Sequence, residues 1–432
     1  MAEAAQSAEP RVSQRREGGG LSLETFAAFQ QRHFRLLWLN TFSFALVHGI
    51  QRFAFVWLAI ELSESSRALG IVSFAMGIPV LFISMPAGIL SDRIDRRLIL
   101  VTSQVVILAI SILTAILIWA GLASVAMAAA LALAVGVGVA FGQPVRQAIV
   151  PSIVPPDRLM NAITLISLGT NTSQMVGPAI GGLSIALWGI GGCFAVQATF
   201  VSLGLLALVP LRVPRPEGIT NVRRNFREDT SEGLRFAIGT EGVRVLFLLL
   251  LVTAIFVNGP WGTLLPKIAE ERLGRGAFGA GLIFSAFGGG MIVSSLILAS
   301  IHELKNAGGW FAATMVCGGV LIVGMGLSKI YLLTLSLMLV SGVNAGFFMN
   351  LNLTLIQANT PGDVMGRVMA IYTLVFMGVT PLGALAAGAA ADIFGPGEWF
   401  AFGGAAMSAV AVVILITQPK LRRMSSNPGS AR

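Results

Sequence analysis

His48 and Arg52 stand one helical turn apart in the middle of a long apolar run, residues 37–60, and are the ionisable pair this sequence sets at the greatest depth. An arginine at the centre of a bilayer costs about 2.5–3.5 kcal/mol on insertion scales, so Arg52 should face a wet cavity or a partner. Two cationic groups at i and i+4 repel, which predicts a mostly neutral His48 at pH 7. All 20 acidic residues fall in loops or at the ends of apolar runs. A cavity holding a guanidinium and no carboxylate attracts anions or hydrogen-bonding neutral molecules and repels organic cations. Phe44, Gln51 and Phe55 of the same run, Asn258, and Asn344, Phe347 and Asn350 are the candidates to complete its wall. Amides and aromatic rings together suit an amphipathic, ring-bearing ligand. The competing reading is structural, with Arg52 satisfied by backbone carbonyls or an amide and His48 packed between helices.

A second cluster lies in Pro86–Arg97, the densest alternation of charge in the chain. So short a charged loop cannot enter hydrocarbon and must sit at one face of a bilayer. Gly88 would let a neighbouring helix approach Asp92, while Arg93, Arg96 and Arg97 lie at the membrane surface. If a helix begins near Gly366-Arg367 at the same face, its unsatisfied N–H groups attract the Asp92 carboxylate and form a latch. Gly177-Pro178-Ala-Ile-Gly181-Gly182 is a third candidate: small residues let helices pack backbone to backbone, and the proline kinks the helix. Tight packing alone accounts for the same pattern.

The elements that position these residues follow from composition. The chain has 432 residues, 55% hydrophobic and 11% charged, against about 25% charged in soluble domains. Twelve runs approach the roughly 20 apolar residues a spanning helix needs: 37–60, 70–91, 98–120, 123–143, 161–187, 190–210, 243–265, 277–301, 308–328, 331–355, 367–391 and 399–418. Arg67, Lys267, Arg272, Arg275 and Lys329 fall on one side of these spans; every other Lys and Arg except Arg52 falls on the side of the termini. That asymmetry predicts cytoplasmic N- and C-termini and accounts for the net charge of +9 without nucleic acid. All seven tryptophans, including Trp57, Trp261 and Trp399, fall at predicted span ends. Cys193 and Cys317 lie inside apolar runs and offer no disulfide framework or metal spacing.

The expected organisation is a cytoplasmic tail 1–36, a six-helix bundle 37–210, a cytoplasmic linker 211–242, a second six-helix bundle 243–418 and a tail 419–432. The polar stretch before the first run is followed by too long a run for a cleaved signal, so that run is expected to be retained. The halves repeat: Pro155/Pro361, Asp157/Asp363, Gly177/Gly383, Gly182/Gly388, Gly189/Gly395 and Arg52/Asn258 each keep one spacing. No Walker A, H-E-x-x-H, G-x-S-x-G or zinc spacing occurs, which argues against an ATP-driven pump or an intramembrane enzyme.

Gly88, Asp92, Arg93, Arg96 and Arg97 resemble the loop signature G-x-x-x-D-R-x-G-R-R/K of the major facilitator superfamily, with Asp95 in place of the second glycine. Gly177-Pro178-x-x-Gly181-Gly182 resembles the G-P-x-x-G-G motif of its exporters. Phe34–Leu39, Gln51-Arg52, Trp57-Leu58, Pro144–Ala148 and Gly366–Met369 through Gly378–Gly383 are similar to the branch of enterobactin exporters and macrolide-efflux proteins. The resemblance implies an all-α membrane protein, twelve transmembrane helices in two pseudo-symmetric six-helix bundles. It implies alternating access and export of a small molecule, such as a siderophore, macrolide or other drug-like compound, by proton antiport across the cytoplasmic membrane. No cofactor beyond an ion gradient, no metal and a monomer are expected. There are departures. His48 stands where many relatives have an acid, helix 4 lacks the mid-membrane arginine of drug–proton antiporters, and His302–Lys305 has lost the signature in the second half. Asp92, Glu61 and His48 are the candidates for proton coupling. Uptake of an organic anion, or a membrane sensor or scaffold, are the alternatives.

Overall fold

The computed structural model describes residues 28–91, 94–211, 213, 226–300 and 306–418, with side chains for all of these except 84–91, 226–231 and 299. Among the described residues eleven helical segments are long and apolar enough to cross a bilayer, and one of them, Pro156–Leu208, is 53 residues long. That segment is two spans: Gly189 sits at φ 70° and ψ 177° and breaks the helix. A side chain is strained at that φ, whereas glycine adopts it freely.

Twelve spanning helices result. They are α1 (Arg32–Leu62), α2 (Ser66–Ser91), α3 (Arg96–Trp119), α4 (Val125–Ile153), α5 (159–188) and α6 (190–208) in the first half. The second half holds α7 (Glu241–Glu271), α8 (Ala277–Ala299), α9 (Ala307–Leu327), α10 (Tyr331–Ala358), α11 (Met365–Phe394) and α12 (Pro396–Thr417). A linker helix, Phe226–Gly239, precedes α7. Helices are the form in which a spanning segment satisfies its own backbone without water.

Several helices outrun their predicted spans, because polar turns continue a helix past the hydrocarbon. The largest difference is α4, expected to end at 143 and in fact reaching Ile153 through Pro144 and Pro151. Asp95, the residue standing where the signature has glycine, N-caps α3 by accepting from the Arg97 N–H at 2.8 Å. In the middle of α7 and α11 the helix widens to a π-turn, Ala254–Asn258 and Leu374–Gly378. Pro260 and Pro381 follow closely, and a proline that offers no N–H displaces the regular ladder.

The internal repeat has a structural counterpart. Gly395, between α11 and α12, takes φ 91°, matching Gly189 between α5 and α6. A methyl on Gly177 would lie 3.0 Å from Gly49 Cα, and one on Gly383 would lie 2.9 Å from Ile255 Cα. Gly49 and Ile255 keep the same spacing as Gly177 and Gly383, so α1 crosses α5 as α7 crosses α11. Hydrophobic burial cannot drive helices together within lipid; close van der Waals contact at such small residues does.

The halves meet mainly through two helix pairs, α2 with α11 and α5 with α8. The contacts run from the end of the bundle away from residues 32 and 417, here the far end. Methyls on Gly182, Gly281 and Gly388 would overlap backbone atoms of Ala277, Pro178 and Ser66 respectively, so those backbones touch, and one on Gly77 would overlap the Pro381 ring. Toward the other end, where the chain termini lie, the space between the halves is a cavity.

Candidate functional site

The cavity encloses about 2480 Å³. It reaches from Arg52, Trp261 and Gly262 in the middle of the bundle down to Gln147, Gly366 and Arg367 at the terminal end. Its lining carries three basic side chains, His48, Arg52 and Arg367, and no carboxylate among the described residues. Gln143, Gln147, Asn171, Gln174, Asn258 and Asn344 supply amides, and Phe53, Phe82, Trp261, Phe284, Phe287 and Phe348 supply rings.

Five of the nine predicted wall residues line this space: His48, Arg52, Phe55, Asn258 and Asn344. Arg52 projects into it and makes no hydrogen bond or ion pair with any described residue. Its guanidinium reaches across to α7, where a methyl on Gly262 would stand 3.1 Å from Nη2. His48 lies one turn below with its Nδ1 buried and unpartnered. Asn258 falls in the π-turn of α7, and Asn344 donates to the Thr314 carbonyl at 2.9 Å.

Four candidates lie elsewhere. The α10 residues on the cavity are Ser341, Asn344, Ala345, Phe348 and Met349, a helical stripe at i, i+3, i+4, i+7 and i+8. Phe347 and Asn350 fall off that phase, and Asn350 folds back to the Gly346 carbonyl at 2.8 Å. Gln51 is buried at 1% exposure outside the lining, with both amide atoms unpartnered. Phe44 is buried against α4, its ring 3.5 Å beneath the Arg146 guanidinium.

Arg146 is the residue the sequence reading missed. A helix ending at 143 would leave it in a loop; α4 runs on, and Arg146 is 4% exposed inside the first half. Arg146 is thus a buried basic residue beside His48 and Arg52. Arg146 Nε donates to Asn40 Oδ1 at 3.3 Å, and Asn40 Nδ2 donates to the Gly204 carbonyl at 2.8 Å. Polar residues at helical spacing, Gln143, Arg146 and Gln147, were the available signal. Asn40→Leu removes the arginine's acceptor in a buried site. The expected cost is about 1–3 kcal/mol or more, read as a lower thermal midpoint in detergent with Asn40→Asp, which restores an acceptor, recovering stability. Trp261, expected at a span end, lines the cavity, and α7 continues beyond it to Glu271.

The gating candidates divide in the same way. Arg96 Nη1 donates to the Ala148 carbonyl at 3.0 Å, and Arg97 donates to the Leu208 and Val209 carbonyls at 3.1 and 2.7 Å. They clamp the ends of α4 and α6 within one half. Asp92 and Arg93 lie outside the described residues, as do the surroundings of Gly88. Gly177, Pro178 and Gly181 pack α5 on α1 near Gly49 and Phe53, whereas Gly182 abuts α8 of the other half at Ala277. Gly366 has open space around it, and Arg367 pairs with Glu232 of the linker helix at 2.9 Å. Glu61 accepts from Trp57 Nε1 at 3.0 Å, away from the cavity lining.

Two six-helix halves around a central cavity open at one end are the architecture of a transporter of the major facilitator type. The chain matches the family of Transmembrane secretion effectors (MFS_3) over residues 23–431 and belongs to it, in the efflux branch of the superfamily. It is 22% identical over 389 residues to Macrolide efflux protein A of Streptococcus pyogenes, covering 88% of this chain and 94% of that protein. It is 24% identical over 393 residues to the Staphyloferrin A transporter of Staphylococcus aureus, covering 89% and 96%. In fold it is similar to a peptide transporter POT in complex with alafosfalin, at TM-score 0.73 and 16% identity, over 91% of this chain and 96% of that one. These are transporters, not enzymes.

Proposed function

We propose that the protein exports an amphipathic organic molecule of the siderophore, macrolide or drug-like class by alternating access of residues 37–210 and 243–418, driven by proton antiport. The observation that carries the substrate reading is Arg52, free in a ring- and amide-lined cavity with no carboxylate among its described residues. Such a wall favours anionic or acceptor-rich ligands and disfavours cations. Export accords with the efflux proteins the chain resembles. The bias of basic residues supports cytoplasmic termini; the cavity then opens to the cytoplasm, the side from which an exporter loads. The working unit in this proposal is a monomer. Of the two proton candidates among the described residues, His48 lines the cavity and Glu61 does not; Asp92 lies outside the described residues.

Inside-out membrane vesicles given an acidic interior test the proposal, with a labelled macrolide and a polycarboxylate siderophore as probes. Accumulation that a protonophore abolishes is the expected result. Accumulation only in right-side-out vesicles would instead establish uptake of an organic anion, and movement in neither, beside a working control exporter, would defeat both.

A further inference from the structure

We propose that Asp392 is the residue that holds the far end of the transport path shut, by capping α2 of the opposite half. Asp392 stands in the last turn of α11. Ser65 Oγ and the Ser66 N–H donate to its two carboxylate oxygens, each at 2.5 Å, and the Arg67 N–H reaches Oδ2 at 3.3 Å. The first N–H groups of a helix have no acceptor within it, and the positive end of the helix dipole adds to their attraction for a carboxylate. These bonds join residues of different halves, so they exist only while the halves are together at this end.

The neighbouring contacts make the reach possible and cross the same gap. One turn further in, a methyl on Gly388 would lie 2.6 Å from the Ser66 carbonyl oxygen and 2.8 Å from Gly70 Cα, so the two backbones are already in contact. Thr263 Oγ1 donates to Ser73 Oγ at 3.1 Å, and Lys267 Nζ donates to the Glu64 carbonyl while pairing with Glu271. Asp392 is itself exposed, as are Glu64 and Arg67. Water therefore stands ready to replace the three donors when the halves part. A carboxylate that exchanges protein donors for water in this way is a reversible latch, unlike a buried charge stranded without a partner.

α2 and α11 run antiparallel, so Asp392 at the end of α11 meets Ser65-Ser66 at the start of α2; the latch expected from sequence at Asp92 would act at the opposite end.

The latch rests on the alternating-access reading above, and one experiment separates the two. Leu122 and Ile330 occupy exposed turns at the far end of the two halves, 65% and 62% exposed. Leu122→Cys and Ile330→Cys, on a Cys193→Ala, Cys317→Ala background, take spin labels for pulsed electron–electron distance measurement in nanodiscs. With the parent showing a short and a long distance, Asp392→Asn should raise the long-to-short ratio about tenfold, the scale of losing charge-assisted bonds. Ser65→Ala should raise it less, about two- to fivefold, and Asp92→Asn should lower it. An Asp392→Asn distribution that superimposes on the parent, or moves to shorter distance, overturns the latch. If that variant does not fold, an unmoved Ser65→Ala distribution overturns it alone. A parent with one fixed distance at every pH and with every probe ligand overturns alternating access itself, and the latch with it.

Discussion

Gly388→Leu is expected to abolish transport, at least a hundredfold in turnover, while leaving a folded protein whose far end stands open. The added side chain meets backbone: its first carbon alone lies 2.6 Å from the Ser66 carbonyl oxygen, 2.8 Å from Gly70 Cα and 2.9 Å from Gly70 N. Backbone atoms in the first turns of α2 cannot rotate aside as a flexible side chain can. Relief requires α2 and α11 to separate, and those helices belong to different halves. The strain therefore acts on the balance between open and closed forms more than on the folding of either bundle. Gly177→Leu is the contrast. A methyl there would lie 3.0 Å from Gly49 Cα, but α1 and α5 share a half, so the overpacking is paid in stability, about 1–3 kcal/mol or more. Thermal midpoints and reaction with a membrane-impermeant maleimide at a cysteine in place of Ser73 distinguish the variants. Gly388→Leu should keep the midpoint and gain labelling; Gly177→Leu should lose the midpoint. A Gly388→Leu protein that transports at the parental rate refutes the account.

Arg52→Gln is expected to weaken anionic ligands about ten- to a hundredfold and to change neutral ones by no more than about threefold. Tenfold corresponds to about 1.4 kcal/mol, a modest demand on one charge in the wall of a cavity. Arg52→Lys should retain part of the affinity, because a point charge remains but the two-pronged geometry that fits a carboxylate is lost. The empty protein provides the control. Arg52 has no described hydrogen-bonding or ionic partner, so Arg52→Gln strands no other group, and its thermal midpoint should hold or rise. A purely structural arginine would instead lower the midpoint and weaken anionic and neutral ligands alike.

The class of the protein, its twelve spans and the relation of its halves were legible from residues alone. Hydrocarbon admits few solutions: an apolar run of sufficient length must be a helix, and charges must lie at the faces. The repeat was legible for a local reason as well. Gly189 and Gly395 both occupy a backbone conformation that favours glycine, so the pair had to recur in register. His48, Arg52, Asn258 and Asn344 could be placed at the cavity because a polar group at depth requires water or a partner.

Other features needed the packed helices. A spanning helix is apolar on its lipid side and on its protein side, so periodicity does not mark the inward face as it does in a soluble protein. That is why Phe347 and Asn350 were expected on the wall that Ser341, Asn344, Ala345, Phe348 and Met349 form. Arg146 followed a proline and read as a loop residue; only the continuation of α4 inside the first half buries it beside Asn40 and Phe44. Asp392 read as one more acid at a helix end, since no local pattern records that α2 of the other half begins opposite it. The sequence by itself determined the membrane fold and its duplication, which follow from solvent chemistry and backbone conformation along the chain. Which helix faces enclose the cavity, and which end of it is shut, were decided by tertiary contacts between residues some 300 positions apart, for which no local rule of spacing exists.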